Sequence, residues 1–159
     1  MSNSTAGSIR REVRYASIDE FRADADRLAR IKIRTVGKWT YTQILDHLSR
    51  TIVASLDGFG FKAPWFARAL IAPFMKNAIL TKGMKPGFNL PRRAAAILPG
   101  PELSLDAAMD NLRKALLRYE NEPQRAEHPF FGKLASQEFT SLHLRHSELH
   151  MSFVLPEED

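Results

Sequence analysis

The stretch Phe139–Phe153 holds three of the chain's five histidines, and nothing else in the sequence restricts the fold as much. Wound as a helix at about 100° per residue, it puts Phe139, Leu142, His143, His146, Leu149, His150 and Phe153 on one side. An inward helical face gains nothing from three imidazoles unless something inside binds them. The pattern predicts a helical bundle with a polyhistidine metal site in its interior.

The rest of the chain supplies helices for such a bundle. Ser17-Ile18-Asp19-Glu20 is a capping box, and Ile18, Phe21, Ala25 and Leu28 follow at helical spacing, predicting a first helix to about Arg34. Thr40-Tyr41-Thr42-Gln43 is a second box, with Trp39 placed to staple its start. Tyr41, Leu45, Leu48, Ile52, Leu56 and Phe59 form the stripe of helix two, and His47 falls on its shoulder, where it lines a cleft or faces solvent. Pro64–Leu80 reads as a shorter helix, bent or split at Pro73. Residues 82–101 are rich in Gly and Pro and read as a long ordered loop with one helical turn at Arg92–Ala96. Ser104 caps a third long helix, with Leu105, Ala108, Met109, Leu112, Ala115, Leu116 and Tyr119 inward, and Pro123 ends it. His128–Leu134 is a turn-rich connector in which His128 is a turn or surface residue and Phe130 and Phe131 close one end of the core. Ser136 caps the last helix, which runs to about Val154. These elements predict an all-α four-helix bundle with a helical and loop insert between helices two and three, and no strands.

At 159 residues and 44% apolar content the chain suits one domain with a core of its own. We place it at residues 11–155, between a flexible N-terminal tail at 1–10 and an acidic C-terminal tail at 156–159. Met1–Ser8 is small and polar, unlike a signal peptide. The absence of cysteine excludes disulfides and thiolate-ligated metal, so a metal must rely on histidine and carboxylate. It also fits a cytoplasmic protein. The formal charge is +5, but Arg10-Arg11 and Arg92-Arg93 are too short for a nucleic-acid stripe. The apolar run Ala63–Met75 is broken by Arg68 and Pro73 and falls short of the ~20 residues a membrane span needs, which excludes stable insertion.

His146 and His150 stand one helical turn apart and can point at a common atom. His143 lies about 10 Å along the axis from His150, so two ligands from this helix and one from elsewhere is the better geometry. The helix lacks the metalloprotease signature, because Ser147 stands where a glutamate base would follow the first histidine, and Glu148 points away from the shared face. His143 reads either as a residue supporting the site from behind its ligands or as a structural core histidine.

Trp39-Thr40-x-x-Gln43-Ile44-Leu45-Asp46-His47-Leu48, then His128-Pro129-Phe130-Phe131-Gly132-Lys133-Leu134, then His143-Leu144-Arg145-His146-x-x-x-His150 resemble the DinB/YfiT-like metalloenzyme superfamily. More narrowly, the chain is similar to a domain-of-unknown-function branch of it, from about Ser17 to Phe153. The resemblance implies an up-down-down-up bundle with the metal held by His47, His146 and His150. It also implies a divalent ion (zinc, nickel, iron or manganese), a low-molecular-weight thiol as cofactor, a small-molecule substrate and a homodimer. Relatives are thiol-dependent transferases and isomerases, so the implied chemistry is a metal-activated thiol or water used in transfer or hydrolysis. Such relatives often carry Gln or Arg shortly after the last ligand, where this chain has Ser152-Phe153.

Two other functions fit the residues. One is a non-catalytic bundle whose histidines are structural and whose insert, Phe59–Met84, binds a partner. The other is peripheral membrane attachment through Pro64–Leu80, beside Lys62, Arg68 and Lys76.

Overall fold

A computed structural model of the chain describes residues 9–87 and 90–157, and the ends of both expected tails (1–8 and 158–159) lie outside them. The described residues are mostly helical, with one small antiparallel sheet.

The first helix, α1 (Ile18–Leu28), starts where Ser17 Oγ accepts from Glu20 N and Glu20 Oε2 accepts from Ala16 N. It stops short of the expected end at Arg34. Ile31, Ile33 and Thr35 alternate at period two, and β1 (Ile33–Thr35) pairs with β2 (Val154–Pro156) in the register Ile33↔Pro156, Arg34↔Leu155 and Thr35↔Val154. The expectation of no strands is therefore corrected. A three-residue strand whose partner lies at the far end of the chain leaves too little local signal to compete with a helical reading.

The second helix, α2 (Tyr41–Asp57), opens on the predicted capping box, with Gln43 Oε1 accepting from Thr40 N at 3.0 Å and Thr40 Oγ1 accepting from Gln43 N. It packs mainly on α4 (Leu105–Asn121), which Ser104 caps through Ala107 N. In the insert, an irregular wide turn at Ala67–Ile71 leads into α3 (Ala72–Lys82). Pro73 lacks an N–H and its ring crowds the carbonyl four residues back, which accounts for widening on its N-terminal side. The loop after α3 contains one tight helical turn, Arg92–Ile97, close to the expected one.

The last helix, α5 (Ser136–Met151), is capped by Ala135 rather than Ser136, with Glu138 Oε2 accepting from Ala135 N at 2.9 Å. It ends at Met151 because Val154 belongs to β2. Its burial is wider than the predicted stripe: Leu144, Arg145, Ser147, Glu148 and Met151 are buried, whereas His146, Leu149, His150 and Phe153 are half-buried. Arg145 and Glu148 are covered by the segment before α1. Arg145 Nη2 donates to Tyr15 O at 2.7 Å and forms an ion pair with Glu148 Oε1 at 2.8 Å, and Glu148 Oε1 accepts from Tyr15 N at 2.8 Å. Glu148 does point away from the histidines, as expected, but into a buried pair. Glu148→Ala should leave Arg145 buried without its carboxylate and cost about 3 kcal/mol in denaturant unfolding. A loss under about 0.5 kcal/mol would class the pair with ordinary surface salt bridges.

The core is one cluster that includes Phe21, Leu28, Ile44, Leu45, Leu48, Leu112, Leu116, Phe139 and Met151, contributed by α1, α2, α4 and α5. Phe130 and Phe131, expected to close its end, are half-buried beside it. No helix among the described residues is long and apolar enough to cross a membrane.

Candidate metal centre

His47 is buried on α2 and leaves the shoulder position for the protein interior. His146 and His150 sit one turn apart on α5 and face it. Nε2 of His47 lies 3.1 Å from Nε2 of His146, which lies 3.1 Å from Nε2 of His150, and the three ligand atoms fall within 4.8 Å of one another. Two imidazole nitrogens on one ion at about 2.0–2.1 Å stand about 2.8–3.4 Å apart in octahedral or tetrahedral geometry. The two 3.1 Å spacings about His146 fit that range.

The protons argue for a cation as well. His47 Nδ1 lies 2.5 Å from the Ile97 carbonyl, which only accepts, so Nδ1 carries the proton and Nε2 presents a lone pair to the site. His146 Nε2 then faces two nitrogens and can complete a good hydrogen bond with only one of them. One close nitrogen–nitrogen contact is left without a proton between its atoms. Burial lowers the pKa of all three imidazoles, with the neighbouring histidines lowering His146 and His150 further, and His150 falls to about 3. Neutral imidazoles with converging lone pairs are the form in which histidine ligates a metal.

Trp39, expected to staple the start of α2, also covers the site. Its indole stacks on His150 with centroids 5.3 Å apart and planes at 18°, and tilts against His47 at 4.8 Å.

The turn at Arg92–Ile97, which carries the Ile97 carbonyl, is held from α2. Buried Asp46 Oδ2 accepts from Gly100 N at 2.8 Å and from Arg50 Nε at 2.9 Å. A Cβ on Gly100 would come within 2.6 Å of Arg50 Nη2, so a larger residue there would displace the guanidinium that shares Asp46 with the Gly100 N–H. Neither Asp46 nor Ile97 was legible as a site residue: the working group of Ile97 is a backbone carbonyl, and an Asp beside a helical His is a common surface pattern. The Gly and Pro punctuation of residues 99–101 marked the loop but not its role. Asp46→Ala should weaken metal binding by about 10–100-fold, the usual cost of losing a group that orients a ligand, as read by titration against a competing chelator. Unchanged affinity would mean that other contacts hold the Ile97 carbonyl.

The remaining histidines stand apart from this trio. His143 is buried, and its Nε2 donates at 2.9 Å to Ser55 Oγ, whose own proton goes to Ile52 O at 2.6 Å. Its ring stacks on Phe139 and meets the edge of Tyr119. These contacts make it structural, the second of the two roles its position allows. His128 keeps the turn role but not the surface one: its Nδ1 accepts from Phe130 N and Phe131 N, and its ring packs among Phe59, Phe131 and Phe139.

No curated protein matches the chain, and no solved structure does. A family match covers residues 7–157 and takes in all three converging histidines. By that match the chain belongs to the family described as "Protein of unknown function (DUF1569)".

Proposed function

We propose that the protein is a divalent-metal-dependent enzyme of DinB/YfiT type, with α1, α2, α4 and α5 forming an up-down-down-up bundle and His47, His146 and His150 as ligands. The convergence of three Nε2 atoms, one of them fixed by the Ile97 carbonyl, carries this reading. All-imidazole ligation suits zinc, nickel or iron, whereas manganese, which prefers oxygen ligands, enters only through the resemblance. When bound, such an ion supplies Lewis acidity that lowers the pKa of a water or thiol at an open position. The chain's own residues do the preparatory work. The Ile97 carbonyl selects the His47 tautomer, burial keeps the imidazoles neutral, and Trp39 narrows access on the His150 side. With no cysteine in the chain, a reacting thiol has to arrive as a low-molecular-weight cofactor alongside a small-molecule substrate.

Cobalt(II) substitution tests the catalytic part. Cobalt bound at a three-histidine site with open positions should change its visible spectrum on addition of a small thiol, with a new thiolate-to-metal charge-transfer band. Bound cobalt whose spectrum ignores thiols would remove the thiol reading, and a spectrum insensitive to pH and small anions as well would make the site structural. The competing reading, a non-catalytic binding protein, is favoured by the uncovered apolar face of the insert. It predicts full partner binding after removal of the histidine ligands.

A further inference from the structure

The insert leaves one apolar face uncovered. Trp65, Phe66, Leu70, Ile71, Phe74 and Met75 are exposed, Trp65 to 77% and Phe74 to 81%. At ~150–250 Å² per large aromatic, the three rings alone present roughly 400 Å², already the size of the largest apolar patch on an ordinary monomer.

The opposite side of the insert is fastened to the domain. Ala72 is buried, Lys76 Nζ lies 2.7 Å from Glu138 Oε1, and Lys62 and Arg68 both reach Glu127. These pairs hold the helix with its apolar face outward. Charge in this part of the chain is one-sided: residues 58–101 contain Lys62, Arg68, Lys76, Lys82, Lys85, Arg92 and Arg93 and no Asp or Glu. Of these seven, Lys82, Lys85, Arg92 and Arg93 make no ion pair among the described residues.

Two occupants compete on these facts. A second copy of the chain would set one stretch with four unpaired cations and no acid of its own against another, so charge disfavours self-association through this face. A lipid surface with anionic headgroups complements both properties. Trp and Phe favour the membrane–water boundary, and unpaired Lys and Arg are attracted to the headgroup layer. We infer that the Trp65–Met75 face docks peripherally on anionic lipid, with the insert lying in the interface plane. This inference does not depend on the metal site.

The test is co-sedimentation of the full chain with phosphatidylcholine vesicles containing phosphatidylserine and with pure phosphatidylcholine vesicles, at low and high salt. The expected result is binding to the anionic vesicles and at least tenfold weaker partition to neutral ones or in high salt. Phe74→Glu, at a position too exposed to affect folding, should abolish binding, and the double change Lys82→Glu and Lys85→Glu should weaken it about tenfold or more. Absence of sedimentation with either vesicle overturns the inference, as does Phe74→Glu binding like the parent. Concentration-dependent dimerisation that Phe74→Glu abolishes, without any vesicle binding, would overturn it by giving the face to a second copy.

Discussion

His146→Ala should leave a folded protein that holds less than a tenth of an ion per chain, where the parent holds about one after reconstitution with zinc. In the proposed site His146 would be the central ligand: its Nε2 is the atom within 3.1 Å of both partners, so removing it leaves two nitrogens without their common neighbour. Loss of a group that merely orients a ligand costs about 10–100-fold in affinity, and loss of the ligand itself should exceed that. The ring lies half-buried at the edge of the core, so the truncation should spare most of the fold. Elemental analysis and chelator competition read the first quantity, and circular dichroism the second. A parent protein that binds no divalent ion on titration would defeat the proposal. Metal retained at full stoichiometry in His146→Ala would remove this residue from the ligand set. His47→Ala is the companion variant, because it separates a site spanning two helices from simple chelation by the pair on α5.

Acid should destabilise the metal-free protein steeply, and well above the range where carboxylates titrate. Burial holds His128 down at about 4 and His143 at about 3. Unfolded, both take up protons near 6.5, so below that pH the unfolded state binds more protons than the folded one. The stability these two residues contribute is complete above about 6.5 and is lost as pH falls toward 4 for His128 and 3 for His143. Each is worth about 1.4 kcal/mol per pH unit inside its window, or about 3 kcal/mol per unit together between pH 6 and 4.5. The structural reason is explicit at His128, whose Nδ1 lone pair accepts two backbone N–H groups and would lose both on protonation. Denaturant unfolding at pH 7, 6 and 5 in the presence of chelator measures the slope. His143→Gln, which can still donate to Ser55, should be shallower than the parent by about 1.4 kcal/mol per unit. Parallel profiles for the two proteins would show that His143 is not the group responsible.

What the sequence reveals and what it conceals divide along the range of the interactions. Capping boxes at Ser17 and Thr40, the Ser104 cap and the helical stripes of α2 and α4 are local signals, and the elements start where those signals lie. The pair His146 and His150 is local too, because one turn of helix brings the two rings together whatever surrounds them. His47 is different. Its spacing allowed a cleft or solvent, and only the resemblance to a known family singled it out before its burial against α5 was seen. Features that depended on distant partners stayed hidden: the strand Ile33–Thr35, the buried Arg145–Glu148 pair under Tyr15, and the Ile97 carbonyl behind His47. Asp46 shows the limit most clearly. Its meaning comes from Gly100, whose N–H it accepts across more than fifty residues of chain, and no periodicity encodes that meeting.

The separation between His47 and His146, 99 positions, also bears on how an ion can come to rest there. During synthesis α2 is made long before α5 exists, so a metal cannot gather these ligands early and template the fold, as it does in zinc fingers. The apolar contacts among α1, α2, α4 and α5 must form first, with the slow search that distant partners impose. On the proposed ligand set, an ion would bind only after α2 and α5 have come together. The choice among metals would then rest on the spacing and stiffness of the scaffold they form more than on the raw affinity of imidazole, which would otherwise favour copper over every other candidate.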